Sequence, residues 1–375
     1  MAINLFIGSA STNNWNVNAN WSLGTYPIIS DGNTASFNVN SGTCTSVSSG
    51  VYALDFTGYN KTFNTSVGLN IGVGGVIFSP SMSYVFANAN GFSFGPSCSI
   101  KTNGATISCP LNFSVANTYT LIDDLHTTET FTSNNAKFTG ANIYISATLS
   151  WSGAGGLTSP NTLFFVGNKT NSYANPVLNV NTVFNKSGGI LTISNLSTLG
   201  AYTFTYTSGI INHTGTFTIA NGTILNTYPI LWNNITQPTG ANFTINSPLL
   251  IGGTFSIQTT TINGISGFSA SSLLLLVAGS AITLQPNLTY SVSQNMTFLL
   301  SSSAARCTFK SASPGTQSNF ILQQGATQLN QYVNAIDINS SAGQTIWSWQ
   351  GTFSNVNNWM NLTPTVLSIA QAHIN

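Results

Sequence analysis

The chain has 375 residues, is 42% hydrophobic and 11% aromatic, and carries only 7 Lys and Arg against 6 Asp and Glu. That is enough apolar material for a sizeable core and excludes the disordered class, whose signature is low hydrophobicity with high charge. The lack of clustered Lys and Arg excludes phosphate-neutralising nucleic-acid binders and proteins held on anionic lipid.

The first segment, NNWNVNANWSLGTYPIISDGNTASF (residues 13–37), places Trp15 and Trp21 ahead of any repeat. The start lacks a basic region followed by a long apolar run, so no secretory signal is expected. The longest apolar run, Leu273–Ala278, is far shorter than the roughly 20 residues of a membrane helix, so no membrane insertion is expected.

From Val51 onward short alternating runs follow one another: ALDF, LNI, VIF, YVF, FSF, CSI, TISC, LNF, YTLI and IYI. Alternation with period two is the mark of half-buried strands, and no window sustains an amphipathic helix. The class is therefore all-β. The dyads Leu69/Ile71, Phe92/Phe94, Leu111/Phe113 and then Phe131 recur at steps of 19 to 23 residues, and Val76/Phe78, Ile100 and Leu121 keep a similar step. Such a period predicts stacked coils, a right-handed parallel β-helix with aromatic-rich capping segments. The looseness of the repeat leaves a tandem β-sandwich or jelly-roll as the alternative. The alternation continues through LTISNL, TFTYT, TFTIANGTIL, FTINSPLLI, FSIQTTTI and AITLQPNLTYSV. The organisation reads as an N-terminal cap or attachment segment over 1–48, a solenoid body over 49–310 and a C-terminal coil and cap over 311–375. WSGAGGLTSPN, 151–161, is a soft boundary within the body.

A solenoid exposes its terminal coils, and bare strand edges there invite aggregation. Trp15 and Trp21 at one end, and Trp347, Trp349 and Trp359 at the other, are expected to cap those coils or to form an interface. The minority reading makes them aromatic platforms for sugar rings.

The order of NWNVNANWSLGTYPIISDGNTASF, ALDFTGYNKTF, IKTNGATISCPLNF with YTLIDDL, and YVNAIDINSSAGQTIW ending in NNW resembles repeat-rich structural proteins of tailed bacteriophages. The resemblance covers about the first 125 and the last 70 residues. It implies a fibre, spike or capsid decoration on a virion surface, made in the host cytoplasm. The implied partners are the chain itself as a homotrimer, other virion proteins and a host surface glycan, and no cofactor is implied. The scarcity of Lys and Arg also removes trypsin-type cleavage sites.

Ionisable groups gather in one place, YTLIDDLHTTETF, which holds Asp123, Asp124, His126 and Glu129. Glycan-cleaving spikes use paired carboxylates. Neighbours on a strand face opposite ways, so Asp123 and Asp124 are not expected to share a groove. Asp124 with Glu129 is the minority catalytic pair, and turn capping is the favoured reading. Asp55 and Asp337 are expected at the surface or between coils. His213 and His373 have no partners at metal-ligand spacing. Cys44, Cys98, Cys109 and Cys307 read as buried thiols, with a Cys98–Cys109 bridge as the alternative. Phosphate-binding and hydrolase motifs are missing. The ranks Thr203, Thr205, Thr207 and Thr216, Thr218 do not persist along the chain as an ice-binding face would require, so β-propensity accounts for them.

Overall fold

A computed structural model describes residues 2–362 except 9–12, 47–49, 66, 87–90, 114–115, 147–148, 153–156, 174–175, 239 and 299–301. Among the described residues the ordered elements are β-strands, with one 3-10 turn at Asn18–Asn20. The strands stack as about 14 parallel turns of a β-solenoid. Contacts divide the chain into two compact units, Met1–Leu191 with Thr207–Ile210, and Thr192–Tyr206 with Ile211–Asn375.

In the first unit the recurring dyads lie in register. Leu69 and Ile71 pair with Phe92 and Phe94, these pair with Leu111 and Phe113, and Leu111 pairs with Phe131. Val76, Ile100 and Leu121 form the second column. All of these side chains are at most 2% exposed. A parallel ladder puts equivalent residues of successive coils directly above one another, so one inward dyad per coil builds a continuous core. In the second unit Phe243 pairs with Ile262, Ile282 with Phe309, and Leu273 with Met296, on the same principle.

The composition finds its reason in the bonds between coils. Asn142 accepts the backbone N–H of Thr162, Asn195 that of Thr216, Asn221 that of Asn242, Asn242 that of Thr261, and Asn234 that of Thr254. Each bond spans 19 to 21 residues, one coil of the solenoid. A neutral amide can accept from one coil while donating to another, so these staples close the turns without placing charge at the surface.

The first coil is closed by its own loop. Phe6 and Trp21 form an antiparallel bridge, Ile7 donates to the Asn20 carbonyl at 2.8 Å, and Ser22 donates to the Leu5 carbonyl at 2.9 Å. The returning segment therefore occupies backbone groups of the Ile3–Leu5 strand that would otherwise form an open edge.

Candidate functional site

Each of the six acidic side chains has a partner. Asp31 accepts from the N–H groups of Ile28 and Asn33, and Asp55 from that of Thr57, so both close local turns. Asp123 reaches back one coil, accepting from the backbone N–H groups of Thr102 and Asn103, each at 2.6 Å, and from the Thr102 hydroxyl at 3.0 Å. Asp124 reaches forward one coil to the N–H of Asn142 at 3.0 Å. The two adjacent carboxylates thus serve opposite neighbours. Glu129 pairs with Lys169 at 3.1 Å, with both side chains about half exposed. Asp337 is 5% exposed and lies between coils, accepting from Gly315 N–H at 3.0 Å and from the Asn355 amide.

Asp124 occupies a staple position of the kind filled elsewhere by Asn. Its bond spans 18 residues to Asn142, which in turn accepts from Thr162. A carboxylate committed to a backbone N–H in this way needs no catalytic reason to be there.

On the outward face beside it, His126, Tyr144 and Phe164 stack in register, with centroids 4.2 and 4.4 Å apart and planes within 6°. Their faces cover one another, so mainly ring edges meet solvent. A sugar needs a free ring face, and the interior faces of this stack are taken. Burial, and then the neighbouring Asp124, push the Tyr144 phenol above its usual range.

The N-terminal tryptophans are core residues. Trp15 is 0% and Trp21 2% exposed, their rings meet edge-on at 4.7 Å, and Trp15 also packs against Phe37 and Phe63. Each indole N–H has an acceptor, Pro27 carbonyl for Trp15 and Trp15 carbonyl for Trp21. Buried rings offer no platform to a sugar. Trp347, Trp349 and Trp359 are partly exposed. Trp349 packs edge-on against Tyr332 at 5.2 Å, and Trp359 lies 5.7 Å from Phe353 and donates to the Ser340 hydroxyl at 3.0 Å.

All four cysteines are buried free thiols, Cys98 and Cys109 included, so the alternative bridge is not formed. Burial pushes Cys98 and Cys307 up to about 12, which removes them as nucleophiles near neutral pH. Among the described residues no three His, Cys, Asp or Glu gather as a metal site, and His373 lies outside those residues. The threonine rank is broken as well: Ile224 and Asn226 follow Thr203 and Thr205 in register.

Two features were not anticipated. Lys186 is 2% exposed, and its ammonium donates to the carbonyls of Lys169 at 2.7 Å and Val166 at 3.3 Å; burial lowers its pKa. Its signal was present in the alternation, since Val180, Thr182, Phe184 and Lys186 share one parity and all point inward. The second feature is a groove of about 290 Å³ lined by Pro248, Leu250, Ser266, Ser269, Thr289 and Ser291 above buried Leu249 and Phe268. Leu250, Ser269 and Ser291 stand in one column, so two small side chains beside a larger one leave the depression.

Compared with known protein families, curated proteins and solved structures, the chain finds no match.

Proposed function

We propose that the protein is a non-enzymatic structural element of a virion surface: a fibre, spike or capsid decoration. The observation that carries this reading is the position of Asp124, a staple between coils in the same role that Asn142, Asn195 and Gln237 fill with neutral amides. With the other five acidic groups engaged in turns, coil contacts or an exposed ion pair, the ionisable chemistry serves the architecture. A stack of coils joined by neutral amides suits a rigid surface element, and the likeness of the terminal segments to phage proteins supplies the setting. Self-association as a homotrimer and contact with other virion proteins belong to the same proposal. A surface of Asn, Ser and Thr opposes packing with little charge repulsion. Contact with a host glycan would fall to the uncharged groove beside Pro248, whose mostly apolar lining includes the hydroxyls of Ser266, Ser269, Thr289 and Ser291, since Trp15 and Trp21 are buried.

The rival readings are a glycan-depolymerising tailspike using Asp124 and Glu129, and a cellular adhesin. Incubation with capsule or lipopolysaccharide of the host separates the first from the proposal. Polymer length by size-exclusion chromatography is expected to stay unchanged. Asp124→Asn is expected to lower the unfolding free energy by no more than about 1–1.5 kcal/mol, because an amide oxygen accepts the same N–H without the charge. Shortening of the polymer that disappears in Asp124→Asn would overturn the proposal in favour of the tailspike. An adhesin would be supported by finding the protein on a cell surface with no particle attached.

A further inference from the structure

From Ser187 to Ala305 the sequence contains no Asp, Glu, Lys or Arg, and His213 is its one histidine. That histidine is 4% exposed, at the end of the strand Thr203–His213. Its Nδ1 accepts the backbone N–H of Asn233, one coil on, at 3.1 Å. The ring must therefore be neutral with its proton on Nε2, and Nε2 has no hydrogen-bond partner. Trp232 packs edge-on against the imidazole at 5.0 Å.

Asn233 and Asn234 form a junction between coils. The Asn233 amide donates to the Thr214 carbonyl at 2.7 Å, and the Asn233 carbonyl accepts from Gly253 at 2.6 Å. Asn234 donates its backbone N–H to Gly215 and accepts from Thr254. The histidine thus holds a junction on which three successive coils depend.

We propose that His213 is an acid-sensitive latch of the second unit: a proton added at Nδ1 sets two N–H groups against each other and releases the Asn233 junction. The surroundings offer the imidazolium no compensation. Thr192–Leu196 on the coil below, and Leu231–Ile235 and Leu249–Ile257 above, carry no ionisable side chain. The strand Thr203–His213 carries the phenol of Tyr206, and the turn ahead of Leu231 that of Tyr228. Lys186, on the strand Leu178–Ile193, belongs to the first unit, and its ammonium is held by carbonyls there.

Burial alone lowers the His213 pKa from 6.5 to about 4. A base depressed in the folded state binds its proton later than the unfolded chain does. The stability it permits is whole above about pH 6.5 and is lost as pH falls from there to about 4. Over that window the opening equilibrium should rise about 300-fold, 2.5 pH units expressed as a ratio. Acid denaturation through carboxylates would act elsewhere, because the six acidic residues lie at or before Glu129 or at Asp337.

Hydrogen exchange of peptides covering residues 210–256, corrected for the intrinsic pH dependence of exchange, tests the latch. In the wild-type chain the amides of Asn233 and Gly253 should lose protection steadily from pH 6.5 to 4. In His213→Asn, whose side-chain oxygen can accept the same N–H but takes no proton in this range, protection should stay flat. An equal loss in the variant, or none in the wild type, would overturn the proposal. Should the variant fold poorly, the His213 ring protons followed by NMR in the wild type decide the matter: titration near 4 with concurrent loss of Asn233 protection supports the latch, and titration near 6.5 refutes it.

Discussion

Trp15→Ala is expected to lower the unfolding free energy of the first unit by about 3–5 kcal/mol, the range for removing a fully buried Trp or Phe. The side chain is 0% exposed and is enclosed by Trp21, Phe37 and Phe63. The truncation leaves a cavity, strands the Pro27 carbonyl that accepts the indole N–H, and removes the ring on which Trp21 rests. A change of that size is a large part of the 5–15 kcal/mol that holds a typical domain together. Urea unfolding followed by fluorescence and circular dichroism should show an early transition for this unit. In sedimentation runs the loss of any assembly should accompany unfolding rather than precede it. An unchanged urea midpoint with assembly already lost would instead make Trp15 an interface residue.

Gly140→Val should be at least as damaging locally, with a cost above about 3 kcal/mol. Gly140 ends the strand Lys137–Gly140 with φ at +98°, in register with Leu121 on the coil below. A Cβ there would stand 1.9 Å from the Leu121 carbonyl oxygen, a backbone atom that cannot move without breaking the ladder. Gly315, with φ at +79° and nothing within 4 Å of its missing Cβ, provides the contrast. Gly315→Ala bears only the backbone penalty, about 1–2 kcal/mol. Thermal unfolding of the two variants should separate clash from conformation, and equal losses would refute the close approach of the coils at Leu121.

The repeat itself was legible in the sequence. Leu69, Phe92, Leu111 and Phe131 announce the coil step because inward side chains must recur wherever the chain returns to the same face, and the ladders place them in register. Turn capping by Asp123 was legible too, since a carboxylate in a turn ordinarily accepts backbone N–H groups. The staples were not. Asn is so frequent here that Asn142 or Asn234 cannot be told from its neighbours until the register of the coils is known. The division near residues 191–211 falls between the runs LTISNL and TFTYT, which follow one another as runs do elsewhere in the chain, and no charged or Pro-rich linker marks it. Lys186 could have been found by parity alone, but a charged residue is normally assigned to the wet face. His213 could not, because a lone histidine acquires its significance only when Asn233 is brought above it.

The virion-surface reading is tested most directly by imaging particles from the native source by electron cryomicroscopy, with antibody against this chain as the label. Label is expected on threefold projections of the particle: at a tail or vertex for a fibre or spike, spread over the shell for a decoration. Particles without label, together with a purified chain that sediments as a stable monomer, would contradict it.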